Sequence, residues 1–205
     1  MNKVLYLIFG GLLLLANFLY GETDSLKVRD GKRFIMIIAP RAFRDEEFRI
    51  PYEFLTKLGH KVNVASRDTT LATGMLGLAL KPQLTIKEID TLNYDGLILV
   101  GGTGASIYWD DQNVHQLVRH FASKPNKIAA AICIAPITFA RAGILKDKKA
   151  TVYQDRFTIS EFKKYGVTYV KADVVVSDNI ITASGPNAAT KFAQAIAKSI
   201  AKIKP

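Results

Sequence analysis

Three unbroken apolar runs constrain this chain more than anything else in it. Residues 33–39 (Arg-Phe-Ile-Met-Ile-Ile-Ala), 96–100 (Gly-Leu-Ile-Leu-Val) and 127–133 (Lys-Ile-Ala-Ala-Ala-Ile-Cys) lack the alternation of a strand with one wet face. Runs that short suit strands buried on both faces, as in a parallel sheet covered by helices. The first run ends at Pro40. A helical pattern follows, with Phe48, Ile50, Phe54, Leu55 and Leu58 recurring on one face, Asp45 as its expected cap and Gly59 as its stop. Residues 61–65 return as a strand, which makes a βαβ unit with a right-handed crossover.

The pattern continues along the chain. Residues 113–121 read as a helix with Val114, Leu117, Val118 and Phe121 on one side, and 137–142 as a shorter helix stopped by Gly143. Residues 70–84 read as short antiparallel strands and 150–153 as one more short strand. Residues 167–176 and 180–183 read as a hairpin turning at Asp178-Asn179, and 188–203 as an amphipathic helix. The expected fold is α/β, a three-layer sandwich around a mostly parallel central sheet.

Composition narrows the chemistry. One cysteine in 205 residues excludes an internal disulfide framework and a zinc site of several thiolates, and three histidines leave little for a histidine-rich metal centre. The formal charge of +10 is scattered, as in Lys146-Asp-Lys-Lys149 and Lys163-Lys164, without aromatic interleaving. That describes a solvated basic surface and predicts no nucleic-acid partner.

The first residues carry a separate message. Lys3, an apolar stretch from Val4 to Tyr20, and Gly21 before polar Glu22-Thr23-Asp24-Ser25 read as a secretory signal peptide over 1–21, cleaved after Gly21. The competing reading is an uncleaved membrane anchor, weakened by Asn17. Residues 22–31 are then a short polar lead-in, and 32–205 the folded domain of a protein exported to the periplasm or beyond.

In sheets of this kind ligands bind beyond the carboxyl ends of the strands. Cys133 stands at such an end, flanked two residues away on either side by Ala131 and Ala135 and followed by Pro136. Small neighbours around a nucleophile mark a sharp strand-to-helix elbow, and proline suits the first helical turn. The helix behind it favours thiolate. A small buried apolar residue would fit the same position.

Ala131-Ile-Cys133-Ile-Ala-Pro136, Gly101-Gly102 after an apolar strand, and Phe43-Arg-Asp-Glu-Glu47 together resemble the ThiJ/PfpI superfamily over about 34–202. The resemblance implies a flavodoxin-like, class I glutamine amidotransferase-like fold in which Cys133 is the reactive residue and Glu47 hydrogen-bonds its sulfur. Glu46 fits the simpler role of an acid in a first helical turn. The resemblance also implies an oxyanion hole from the N–H groups of Gly102 and Ile134. Gly101, Tyr153, Ser184 and Trp109 are possible pocket residues, Tyr153 because its position resembles one that borders the site in relatives, although core or loop packing is the simpler account of the last three.

Ile134 stands where hydrolytic and peptidase-like relatives carry histidine. His60, His115 and His120 do not obviously substitute, which argues against peptidase activity. The expectation is a cysteine-dependent enzyme for small reactive carbonyls of the glyoxalase or deglycase type, without metal or organic cofactor, in homodimers or larger homo-oligomers. The alternatives are a redox-responsive or chaperone-like binding protein built on the same cysteine, and a scaffold that kept the fold and lost the chemistry.

Overall fold

The computed structural model describes residues 31–203; the expected signal segment, 1–21, lies outside the described residues. The three apolar runs are the centre of the sheet. Among the described residues twelve strands form: β1 (Arg33–Ile37), β2 (Arg41–Phe43), β3 (Lys61–Ser66), β4 (Ala72–Gly74), β5 (Ala79–Leu80), β6 (Leu84–Thr85), β7 (Gly96–Leu99), β8 (Ile128–Ile132), β9 (Lys149–Ala150), β10 (Thr168–Tyr169), β11 (Val174–Ser177) and β12 (Ile180–Ala183). Among the same residues five α-helices join them: α1 (Asp45–Lys57), α2 (Gln112–Ala122), α3 (Pro136–Arg141), α4 (Arg156–Lys164) and α5 (Ala189–Ala201).

The main sheet runs β11-β12-β8-β7-β1-β3-β6, with every neighbouring pair parallel except β11 with β12. After β1 the chain crosses to β3 on one side and later returns to β7 on the other. That reversal opens a crevice at the carboxyl ends of β1 and β7. Helices flank the sheet, α1 packing on α5 and α2 on α3. With both faces covered, β1, β7 and β8 are buried from end to end apart from Arg33, as their lack of alternation requires.

Several elements differ from the sequence expectation. The hairpin is shorter, pairing only Val174–Ser177 with Ile180–Ala183, while Thr168–Tyr169 leaves to pair with β9, itself two residues rather than four. Within 70–84, β4 and β5 are antiparallel as expected, but β6 joins the main sheet beside β3. Asp45 does not cap α1. Arg44 holds the cap position, and the Asp45 carboxylate accepts the backbone N–H groups of Leu76 (2.9 Å) and Leu78 (2.7 Å).

Asp45 therefore ties the β4–β5 hairpin to the start of α1. Gly74 leaves room for it, since a Cβ there would lie 2.4 Å from Asp45 Oδ2. Asp45→Ala strands two N–H groups and should cost about 2 kcal/mol. Urea unfolding checks this, together with faster amide exchange at Leu76 and Leu78; a loss below about 0.5 kcal/mol, the range of an ordinary surface change, contradicts it.

Candidate active site

The crevice widens into a cleft of about 1240 Å³ with Glu47, Gly102, Cys133 and Ile134 among its lining residues. Cys133 follows β8 with φ +64°, a left-handed conformation that costs a residue with a Cβ about 1 kcal/mol. The surrounding backbone holds it there. Its N–H donates to Ala183 O (2.9 Å), and its own carbonyl accepts the Tyr153 N–H (2.8 Å). Ala131 and Ala135 are buried on either side, and Pro136 begins α3.

Glu47 enters from the first turn of α1 and is fully buried. Gly101 is the spacer between the two functional side chains, since a Cβ there would stand 2.4 Å from Cys133 Cβ and 2.5 Å from Glu47 Oε2. Gly102 has φ +91° and lies so close to the β2–α1 junction that a Cβ would sit 2.4 Å from Arg44 N. Both glycines are thus fixed by space, and the second also by its backbone conformation.

Electrostatics correct one expectation. The thiol is not biased toward thiolate: burial pushes its pKa up, the neighbouring Glu47 charge adds to that, and the result is about 12. The N–H groups of Gly102 and Ile134, both directed at the sulfur, pull the other way and do not prevail. Desolvation outweighs a six-residue helix and two amides.

Glu47 is also shifted upward, to about 8, chiefly by burial, against the opposing pulls of the thiol, Arg44 and the Gly101 N–H. The thiol and the Gly101 N–H lie near the carboxyl, but neither of its oxygens has a hydrogen-bond partner of ordinary geometry. Below about pH 8 the carboxyl keeps its proton, which removes the charge contribution to the raised thiol pKa, though not that of burial, and provides an O–H for the sulfur. Thiol and carboxyl therefore titrate as one unit.

Residues 32–199 match the DJ-1/PfpI family. This chain belongs to that family. An uncharacterized protein of Methanocaldococcus jannaschii is 41% identical over 184 residues, covering 88% of this chain and 89% of its own length. A DJ-1/PfpI relative of Pyrococcus furiosus, named deglycase PfpI, is 29% identical, covering 74% of this chain and 90% of its own. The crystal structure of a ThiJ/PfpI domain protein from Brachyspira murdochii superposes with a TM-score of 0.80 at 27% identity, covering 85% and 99% of the two chains. A relative of Caenorhabditis elegans, 25% identical over 82% of this chain and 89% of its own, is named a glutathione-independent glyoxalase.

Seven of the eight predicted site residues line this cleft of the DJ-1/PfpI fold, and the eighth, Gly101, lies against Cys133 and Glu47 without lining it. Tyr153 and Ser184 line it, and Trp109 both packs and lines it, its indole N–H donating to Ile134 O (3.2 Å). None of the three histidines is in the lining. His60 Nδ1 accepts the Lys32 N–H, and His115 Nε2 meets Trp109 O at 2.8 Å. Among the described residues no three His, Cys, Asp or Glu side chains group to hold a metal.

Sequence reading missed Arg44, whose guanidinium forks onto Glu46 at the cleft wall, and Phe157. Arg44 sits inside the motif that yielded Glu47, so the signal was present. Phe157 carries no local signal.

Proposed function

We propose that this DJ-1/PfpI protein converts small 2-oxoaldehydes to 2-hydroxy acids, with Cys133 as nucleophile and Glu47 as the proton carrier. The observation that carries this is the pairing of a cleft-lining thiol with a buried carboxyl whose pKa is raised to about 8, in reach of two converging backbone N–H groups. A carboxyl poised near working pH both takes and returns a proton. The glyoxalase and deglycase names of the relatives support carbonyl chemistry of this class.

The sulfur adds to the aldehyde carbon as the thiol proton passes to the Glu47 carboxylate, and Glu47 hands that proton on to the carbonyl oxygen, which completes a hemithioacetal and leaves the carboxylate free to act again. Glu47 then removes the hydrogen of that carbon as a proton. Delivery of a proton to the neighbouring carbonyl carbon through an enediol leaves a thioester. Water hydrolyses the thioester, releasing hydroxy acid and free thiol. One carbon is oxidised by two electrons and its neighbour reduced by two, so substrate plus water equals product and no external redox partner enters. Developing oxyanions lie near the Gly102 and Ile134 N–H groups, whose fixed orientation stabilises them without reorganisation.

The reactive form of the pair has lost one proton. Activity should therefore rise as pH passes through about 8, the value to which burial lifts Glu47. The test is methylglyoxal with purified protein, read as lactate. Cys133→Ala should abolish product; no lactate from the native chain, or equal lactate from the variant, refutes the proposal.

A further inference from the structure

The cleft is much larger than the substrate just considered. At about 1240 Å³ it exceeds the usual volume of a site for a drug-sized ligand, and a three-carbon dicarbonyl leaves most of it to water. One side of it is aromatic. Trp109 and Phe157 stack with centroids 5.2 Å apart and planes 24° apart. Phe157 nevertheless remains 48% exposed and Tyr153 47%, on the same cleft as Cys133.

This aromatic side is braced to the chemistry. The Trp109 indole N–H holds Ile134 O, one residue from the sulfur, and the Trp109 carbonyl meets His115 Nε2 at 2.8 Å, which must carry the proton to donate there. The Arg141 guanidinium lies 5.3 Å from the Trp109 ring centroid, held by Glu161 and by Asp110. Phe157 is set by the first turn of α4, where Asp155 and Thr158 form a reciprocal cap. Two aromatic rings are thus presented at a fixed position relative to the nucleophile, with one of them half uncovered.

We propose that Trp109, Phe157 and Tyr153 form a specificity subsite for a planar aromatic body, so that the preferred substrate is an aryl-substituted 2-oxoaldehyde with its carbonyl end at Cys133. This rests on the carbonyl chemistry proposed above. Offset stacking of the substrate ring on Phe157 would remove apolar surface from water and add an aromatic contact that a methyl group cannot make.

The test compares phenylglyoxal and methylglyoxal, each converted to its hydroxy acid, in the native chain and in Phe157→Ala and Phe157→Leu. The native kcat/KM ratio should favour phenylglyoxal by about tenfold or more and fall toward one in both variants. Leucine keeps much of the volume without the π-face, so it separates stacking from bulk. Calorimetric titration of Cys133→Ala with acetophenone, against acetone, reads binding apart from turnover. If neither oxoaldehyde reacts but acetophenone binds through Phe157, the chemistry fails and the subsite stands; if acetophenone does not bind, the subsite falls. A native ratio near one, or a ratio unmoved by the variants, overturns the proposal. So does a Phe157→Ala chain that dissociates on sedimentation with its ratio unchanged, since that face would then belong to a second copy.

Discussion

Glu47→Gln should reduce hydroxy-acid formation by about two to four orders of magnitude while leaving the thiol easier, not harder, to alkylate. The amide fills the same buried space and offers an N–H to the sulfur, but it neither accepts nor delivers a proton. The carboxylate charge that helps lift the Cys133 pKa disappears with it, so the apparent pKa of alkylation should move down from the native value. Loss of turnover together with retained thiol reactivity assigns Glu47 to proton transfer. Turnover within a few-fold of native would remove it from the mechanism.

The same substitution should alter stability in a direction set by linkage. The folded-state pKa of Glu47 is raised from 4.5 to about 8, so its contribution is fully present below pH 4.5 and is lost as pH rises through 8. Across that window the native chain loses on the order of 5 kcal/mol relative to the amide variant. His60 acts in the opposite sense. Burial lowers its pKa, so the stability it contributes is present above pH 6.5 and is lost as pH falls. The native melting temperature should therefore decline between pH 5 and 9, and that of Glu47→Gln much less. Parallel profiles would mean that the buried carboxyl is already ionised at neutrality.

The parts of this molecule that sequence disclosed are those whose physical cause is local. Strands β1, β7 and β8 show as apolar runs because burial on both faces leaves no polar position, and α1 shows its buried face at helical spacing. Cys133 was legible as a candidate from its strand end alone, Glu47 and Gly102 through the family resemblance, and the order of strands gathers their positions at one crevice. Other features depend on contacts across long stretches of chain. The partners of Asp45 lie at Leu76 and Leu78, so its side chain was misread as a cap. Strand β2 is three residues around an Ala42 with φ +55°, too short for any period. The Trp109–Phe157 stack joins residues from separate elements, and the raised thiol pKa depends on how completely packing excludes water. A helix terminus is visible in sequence, whereas desolvation is not.

Gly101→Ala tests whether the closeness of sulfur and carboxyl, rather than their mere presence, sustains the chemistry. The added methyl would lie 2.4 Å from Cys133 Cβ, 2.5 Å from Glu47 Oε2 and 2.7 Å from Ile132 O. No real Cβ tolerates such distances, and two of those neighbours cannot swing away, being backbone and the first carbon of the nucleophile. The residue itself cannot retreat easily, because its carbonyl accepts the Arg44 N–H at 3.0 Å. Overpacking of this kind should cost about 2–3 kcal/mol. A displacement of about 1 Å between the reacting groups should lower turnover by about two orders of magnitude. Alkylation of Cys133 should slow as well, unlike in Glu47→Gln, because the methyl intrudes on the sulfur's own position. Gly77→Ala is the control: its φ of +95° makes it strained, yet nothing lies within 4 Å of the new methyl. It should lose about 1 kcal/mol and keep its activity. If Gly101→Ala loses turnover only in proportion to the fraction unfolded, as the control would, the spacing of the pair is not what the reaction depends on.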